Sequence, residues 1–162
     1  MVTSGGVSMG DMDFVKAILG EIAEVHFRRV FMKPGKPLNF ATSGRTLIFG
    51  LPGNPVSALV SFELFIRPAI ARMSGRAVID RPRVAVVLAE PTSPTDRIEY
   101  QRATVRVERD GRILATVTGA QQSSRLASFV DANGLRTIPP RATAYAAGEI
   151  VDALLIGAPI SG

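Results

Sequence analysis

Residues 4–16 read SGGVSMGDMDFVK, and this stretch decides the fold class of the first part of the chain. Residues 1–3 suit the end of a strand, and the apolar residues after Asp13 have the spacing of one buried helix face. A glycine-rich turn between a strand and a helix is typical of α/β folds. Ser4, Gly5, Gly6 and Ser8 offer groups that can bind a phosphate at the start of the helix. The alternative is a plain tight turn that needs glycine for its backbone angles.

Two aspartates stand at the start of the same predicted helix. Asp11 or Asp13 can cap it through a side-chain oxygen, which is the usual role of aspartate at this position. Both cannot cap one helix, so the other is free to hold a cation or to order a water. The residues alone leave open which aspartate does which.

The segment after this helix alternates between strands and proline-glycine breaks. The pattern predicts a strand over 24–32, a hairpin over 38–50 and a long helix that begins at Pro55 after an Asn54 cap. Apolar residues occur almost all round that helix, which predicts burial on most sides. Pro68 should kink or divide it, and Gly75 should end it.

The break KPGKP, residues 33–37, holds two of the three lysines in a chain that has 16 arginines. Proline restricts the backbone here, so two compact ammonium groups are held on a loop with little freedom. Lysine acts as a point charge towards phosphate and other oxyanions. The lysine bias favours an oxyanion site over a solvated surface turn.

The second part of the chain has a different character, rich in β-strand patterns. Asp110-Gly111 lies between two alternating stretches and predicts a hairpin. Residues 123–134 suit a short helix capped by serine, and residues 135–140 and 148–157 suit two further strands. We therefore expect an α/β segment over 1–77 and a β-rich domain over 78–162.

Composition narrows the function classes. The net charge is +5, and residues 1–77 carry nine basic and five acidic side chains, so the excess lies with the loops described above. A positive field suits an anionic small molecule. Scattered basic residues, two tyrosines and no tryptophan argue against a nucleic-acid partner. The sequence has neither an apolar run of membrane length nor cysteine, and its one histidine, His26, excludes a histidine metal cage.

Three motifs together carry a family resemblance. SGGVSMGDMDFVK (4–16), MKPGKP (32–37) and GLPGNPVS (50–57), in this order and spacing, resemble the molybdopterin molybdenumtransferase family, which includes bacterial MoeA proteins and the gephyrin E domain. The stretches EYQRA (99–103), TGAQQSSRLASFVDANGL (118–135) and GEIVDALLI (148–156) are similar to the C-terminal β-domain of that family. The resemblance implies part of a MogA-like, parallel-sheet α/β domain followed by a small β-barrel-like domain.

The resemblance also implies an activity and its participants. Family members insert molybdate into adenylated molybdopterin and release AMP, with Mg²⁺ as the cofactor. A homodimer is implied, and so are a cytoplasmic location and contacts with molybdopterin adenylyltransferase and molybdoenzyme apoproteins, without nucleic acid or membrane. The alternatives are a molybdopterin adenylyltransferase, which has a similar SGG loop, and a non-catalytic binding or scaffold module.

Site residues follow from the motif positions. Asp13 matches the acidic residue of the active cleft and the metal ligand, and Lys33 and Lys36 match the lysines of the KPGK loop. Arg29 stands where the family often has lysine. Arg102 and Ser123 match residues that reach a cleft from the partner chain of a dimer. The implied substrate-binding set is Ser4, Gly5, Gly6, Ser8, Arg29, Pro52, Pro55, Arg102 and Ser123.

The first segment supplies few strands for a parallel sheet, which needs helices on both faces. We therefore expect the chain to be the C-terminal part of something larger, with an incomplete cleft and little or no activity by itself.

Overall fold

The computed structural model describes residues 1–6, 14–122 and 124–161. These residues divide into two compact units, Met1–Ile79 and Asp80–Gly162. Along the first unit the elements are β1 (Val2–Ser4), α1 (Phe14–Ile22), β2 (Glu24–Arg29), β3 (Met32–Lys33), β4 (Pro37–Ser43), β5 (Thr46–Leu51), α2 (Pro55–Ser61) and α3 (Arg67–Met73). Along the second they are β6 (Arg83–Leu88), β7 (Ile98–Val107), β8 (Ile113–Val117), β9 (Gly134–Ile138), β10 (Ile150–Leu155) and β11 (Ile160–Ser161).

The first unit contains a four-stranded sheet with the order β1-β5-β4-β2. β1 runs parallel to β5, whereas β5 with β4 and β4 with β2 are antiparallel. The predicted β4–β5 hairpin is confirmed, with its turn at Gly44 and Arg45. The expected α/β class is confirmed as well, but the described sheet is mixed, because β4 returns directly through a hairpin and no helix intervenes.

Successive side chains along each strand point to opposite faces of the sheet, and both faces are buried. On one face Leu38, Phe49 and Leu51 pack with Ile66 of the helical segment after β5. On the other, Ala41 and Ile48 pack with Leu19 of α1. The two clusters therefore show which side chains of each strand face α1 and which face the helical segment after β5.

The long helix predicted from Pro55 is interrupted. A π-helical segment, Phe62–Ile66, joins α2 to α3, and Pro68 is the second residue of α3. Proline has no N–H to donate to the carbonyl four residues back, and a π-helical turn accommodates that loss. The predicted division at Pro68 and the end before Gly75, which has φ +74°, are confirmed.

The prediction that this helix is buried on most sides is wrong. Val56, Val60 and Ile66 are buried, but one flank is open to solvent. The exposed apolar side chains on that flank are Leu59, Phe62, Ile70 and Met73. The apolar residues therefore cover more of the helix surface than the sheet can bury.

The second unit is a closed barrel of five strands. Its order is β7-β8-β6-β10-β9, and β9 pairs back with β7 to close the ring. The small strand β11 runs parallel to the end of β7. The expected barrel-like domain is confirmed, and closure leaves the barrel strands without the unpaired edges that invite aggregation.

The barrel interior contains an apolar cluster and a buried polar group. Val86, Leu88, Val105 and Ala115 belong to the apolar cluster. Arg136, 1% exposed, donates from Nε to Gln101 Oε1 at 2.8 Å and from Nη1 to Glu90 Oε1 at 2.5 Å. Burial lowers the pKa of the Arg136 guanidinium, and the negative charge of Glu90 opposes that change.

Two loop predictions in this unit had different outcomes. The Asp110-Gly111 hairpin between β7 and β8 is confirmed, with Gly111 at φ +83°. The predicted serine-capped helix is a 3₁₀ turn, Leu126–Phe129, which Arg125 precedes without a side-chain cap. None of the described helices is both long and apolar enough to cross a bilayer.

A clamp outside the barrel holds the segment before β10. Arg141 pairs with Glu149 at 2.7 Å and lies 3.5 Å above the Tyr145 ring. Glu149 also accepts a hydrogen bond from the Ala146 N–H at 2.6 Å. The hydrogen bond from Arg141, followed by that from Ala146, lowers the pKa of Glu149 to about 2.

We predict that Gly134→Ala destabilises the barrel. A Cβ at Gly134 would lie 2.5 Å from Val105 Cγ2 in a packed interior, and overpacking of this kind costs about 1–3 kcal/mol. Thermal or urea unfolding measures the loss. In a Val105→Ala background the clashing methyl is gone, so the cost of Gly134→Ala should shrink; an unchanged cost would show that the contact is not its source.

We predict that Glu149→Gln removes an acid-sensitive contribution to stability. Because the pKa of Glu149 is lower in the folded protein than its ordinary 4.5, the contribution is fully present above about pH 4.5 and is lost as the pH falls towards 2. Unfolding free energies of wild type and variant should therefore differ by a constant above pH 4.5 and converge below it. Parallel curves down to pH 2 would contradict the role of the clamp.

Candidate functional site

The three loop motifs of the first unit lie along one edge of its sheet. β1 ends at Ser4 beside Leu51, the last residue of β5. β4 starts at Pro37 at the same edge, since Asn39 pairs with Gly50, and β2 ends there with Arg29 opposite Pro37. The SGG turn follows β1, the LPGNP break follows β5, and the KPGK loop precedes β4. The strand register thus brings together motifs that are up to 50 residues apart in the sequence.

The SGG turn packs directly against the LPGNP break. The Gly5 N–H donates to the Leu51 carbonyl at 3.0 Å, and Ser4 Oγ donates to the Pro52 carbonyl at 3.5 Å. A Cβ on Gly53 would lie 3.4 Å from the Gly5 Cα, so glycine allows the two loops to approach. Gly5 and Gly6 both have positive φ, +86° and +68°, which favours glycine at both positions.

Four predicted positions lie outside the described residues: Ser8, Asp11, Asp13 and Ser123. The roles given to them stay predictions. Among the described residues no three acidic or histidine side chains are grouped as a metal site would require.

The KPGK loop is anchored at its centre and exposed at its two lysines. Pro34 and Gly35 are buried, whereas Lys33 and Lys36 are exposed. The Val30 N–H donates to the Lys36 carbonyl at 2.9 Å, which closes the base of the loop. The two ammonium groups are thus carried on a fixed turn at the edge of the sheet.

Gly35 is the residue on which this turn depends. Its φ of +101° lies in the left-handed region, and an added Cβ would lie 2.6 Å from Met32 Cε and 2.8 Å from Ser61 Oγ. The turn therefore rests on the side of α2, near Ser57 and Ser61, with room for a hydrogen atom only. Neither serine was singled out from the sequence, because an apolar helix pattern gives no sign of what packs on its polar positions.

The start of α2 completes this edge of the sheet. Pro55 is its first residue, as predicted, and Asn54 occupies the cap position without a side-chain cap bond. Pro52 is buried and Pro55 is exposed. The expected Asn54 capping bond is thus absent among the described contacts, although the helix begins where the sequence predicts.

Arg102 lies inside the second unit and organises a loop. It is 0% exposed, and its Nε donates to Ser128 Oγ at 2.9 Å while Nη2 donates to the Ala120 and Gln122 carbonyls at 3.3 Å. Burial lowers its pKa, against the attraction of Glu99. The guanidinium therefore holds the backbone at Ala120 and Gln122 and the side chain of Ser128. The substrate-binding role expected for Arg102 stays a prediction.

His26 lies on β2, as predicted. Its Nε2 is 2.8 Å from Thr42 Oγ1, and its ring is 5.1 Å from that of Phe40. The contacts are those of a sheet-surface residue and give it no catalytic partner among the described groups.

Comparison with protein families matches both units. Residues 1–72 match the family described as "Probable molybdopterin binding domain", and residues 84–156 match "MoeA C-terminal region (domain IV)". The two matches follow each other in the order in which the units occur.

Individual relatives agree with these families. Gephyrin from Dictyostelium discoideum is 39% identical over 97% of this chain, the molybdenum cofactor synthesis protein cinnamon from Drosophila melanogaster 43% over 96%, and a molybdopterin molybdenumtransferase from Haemophilus influenzae 35% over 93%. The chain spans 25%, 27% and 38% of their respective lengths. The molybdopterin biosynthesis MoeA protein from Pyrococcus horikoshii superposes with a TM-score of 0.73 at 26% identity, over 97% of this chain and 37% of that one.

We predict that Gly35→Ala lowers the free energy of unfolding by more than the positive φ at this position would by itself. Gly44→Ala is the matched control, since Gly44 also has positive φ, +55°, but has open space around its Cβ position. Left-handed backbone costs an alanine about 1–2 kcal/mol in both variants, and overpacking adds about 1–3 kcal/mol at Gly35 only. Equal losses in unfolding free energy would show that the turn is not pressed against α2.

Proposed function

We propose that this chain, which belongs to the molybdopterin molybdenumtransferase family through both of its units, takes part in molybdenum cofactor biosynthesis by binding molybdate and adenylated molybdopterin. The reaction is the insertion of molybdenum with release of AMP. The observation that carries this proposal is the register that gathers the SGG, KPGK and LPGNP motifs at one sheet edge. The chain spans about a third of its relatives' length, so the reaction is proposed for a whole protein that contains this chain.

The SGG turn and the lysine loop have complementary tasks in this proposal. Backbone N–H groups after β1 bind a phosphate oxygen, since adjacent glycines with positive φ can form a concave anion site. Lys33 and Lys36 offset the negative charges of molybdate and of the phosphates. The buried Pro34-Gly35 centre keeps the ammonium groups in place, so little order has to be gained on binding.

The chemical step is hydrolysis followed by metal insertion. A water oxygen attacks phosphorus in the pyrophosphate link, the bond to the AMP oxygen breaks, and AMP leaves with the electron pair. The two thiol groups of the freed molybdopterin then give their protons to one oxygen of molybdate, which leaves as water, and the two sulfurs bind molybdenum in its place. Asp13 is proposed to orient the attacking water.

Mg²⁺ remains a proposal that depends on Asp13. Mg²⁺ commonly binds through one or two carboxylates together with substrate phosphates, and Asp13 is the carboxylate proposed to hold it here. When bound, it would offset phosphate charge. We also propose a homodimer, in which Arg102 and Ser123 contribute to the cleft of the partner chain, and a cytoplasmic location. Both proposals rest on the family resemblance alone.

The alternative of a molybdopterin adenylyltransferase is less well supported. The second unit matches the C-terminal region of MoeA and contains the closed barrel, and the KPGK loop belongs to the same resemblance. We expect the isolated chain to bind the anions but to turn over little, because most of the length of its relatives is absent from it.

We predict that Lys33→Ala weakens molybdate binding and AMP release, and that Arg45→Ala changes neither. Both residues are exposed, but Arg45 lies in the β4–β5 turn, at the opposite edge of the sheet from the motifs. Loss of one group that stabilises developing negative charge lowers turnover by about 10²-fold. Binding can be measured on this chain by calorimetry, and turnover in a chimaera with the remaining part of the Haemophilus influenzae relative. Equal effects of the two substitutions, or none, would contradict the assigned site.

A further inference from the structure

A polar row is buried just inside the edge that holds the motifs. Asn39, Gly50 and Thr3 are direct partners across β4, β5 and β1, so their side-chain positions lie on one face of the sheet. Ala41 and Ile48, two residues along the same strands, pack with Leu19 of α1 and identify that face. The row is one residue away from the edge pair Ser4 and Leu51.

Within the described part of the chain, the side chains of this row lack the hydrogen bonds that burial requires. Asn39 is 0% exposed, and neither its Nδ2 nor its Oδ1 has a partner among the described residues; the same holds for the buried Thr3 Oγ1. Buried polar atoms without partners are rare in folded proteins because each costs stability. The described neighbours on this face, Ala41, Ile48 and Leu19, are apolar, so they offer the asparagine no side-chain hydrogen bond.

The position of the row connects it with the anion site. Thr3 comes one residue before the start of the SGG turn, and Gly50, which pairs with both Thr3 and Asn39, places no side chain between them. Asn39 Nδ2 and Thr3 Oγ1 are hydrogen-bond donors, and residues 1–79 carry nine basic against five acidic side chains. Donors that have no partner among the described residues, in a positively charged unit, fit a ligand that offers lone pairs.

We propose that Asn39 and Thr3 form a neutral pair that binds one oxygen of a tetrahedral oxyanion held at this edge. The lysines attract any anion from the exposed side, whereas two neutral donors on rigid strands select by geometry. Asn39 Oδ1 accepts a hydrogen bond from a water that stays with the anion. The inference rests on the function proposed above and adds two ligand-selecting residues to it.

Molybdate and the phosphate of a nucleotide share this chemistry, and the experiment separates them. Dissociation constants for molybdate and for AMP are measured by calorimetry on the 162-residue chain, together with the midpoint of thermal unfolding. The variants are Asn39→Leu and Thr3→Val, each close in size to the original residue. Thr42→Val, on the same strand as Asn39 but on the opposite face, is the control.

The expected result is a gain in stability together with a loss in affinity. Asn39→Leu and Thr3→Val should raise the midpoint of thermal unfolding, because buried polar atoms without partners among the described residues are removed. Both variants should also raise the dissociation constant of one of the two anions about tenfold. Thr42→Val should leave both affinities unchanged. Weaker molybdate binding assigns the pair to molybdate, and weaker AMP binding assigns it to the phosphate.

Other results overturn the inference. Unchanged affinities in both variants would mean that the row is only a cost to the fold, and a lowered midpoint in both would mean that the groups have structural partners. If Lys33→Ala lowers the affinity for molybdate or AMP and Asn39→Leu does not, the proposed function survives and this inference fails. If the wild-type chain binds neither anion, both fail.

Discussion

The pairing of β5 with two neighbours of opposite direction is the constraint on which the first unit depends. Gly50 is the partner of Thr3 on one side and of Asn39 on the other. A parallel neighbour brings a strand end to the edge, and an antiparallel neighbour brings a strand start to the same edge. One loop after β1, one after β5 and one before β4 therefore meet, although they come from three separate parts of the sequence.

Packing then converts this meeting of loops into a defined arrangement of charges. Glycine is needed where loops touch each other or a helix: Gly5 against Gly53, and Gly35 against Ser61. In the KPGK loop the two exposed side chains are lysines. The division between buried small residues and exposed cations lets one short turn be both rigid and strongly positive.

Much of the fold follows from local sequence signals. Some residues favour one local backbone conformation whatever packs around them. The hairpin predicted from Asp110-Gly111, the helix start predicted from Pro55 and the helix end predicted from Gly75 are all confirmed. The exposed flank of Leu59 and Ile70 was missed because periodicity reports which side chains are apolar and not how much sheet is available to cover them. The π-helical segment was missed because a proline predicts a break without specifying how the preceding carbonyls adapt.

The candidate site divides in the same way. The motifs could be found in the sequence because glycine, proline and lysine are unusual in those combinations. Asn39 could not, because within LNFAT it is one more polar residue in an alternating strand, and only the register shows that it is buried beside Gly50. The burial of Arg102 was equally hidden, since a β-strand pattern does not distinguish an arginine that a loop covers from one that is exposed to solvent.

Barrel closure in the second unit also has a consequence for the order of folding. β7 and β8 are neighbours in the chain and can form a hairpin early, but β7 must wait for β9 to close the ring, and β6 meets β10 only when residues 150–155 have been made. Contacts this distant in sequence carry an entropic cost before they add stability, and they slow folding. During synthesis on the ribosome, the second unit would thus remain an open sheet until nearly all of it has emerged.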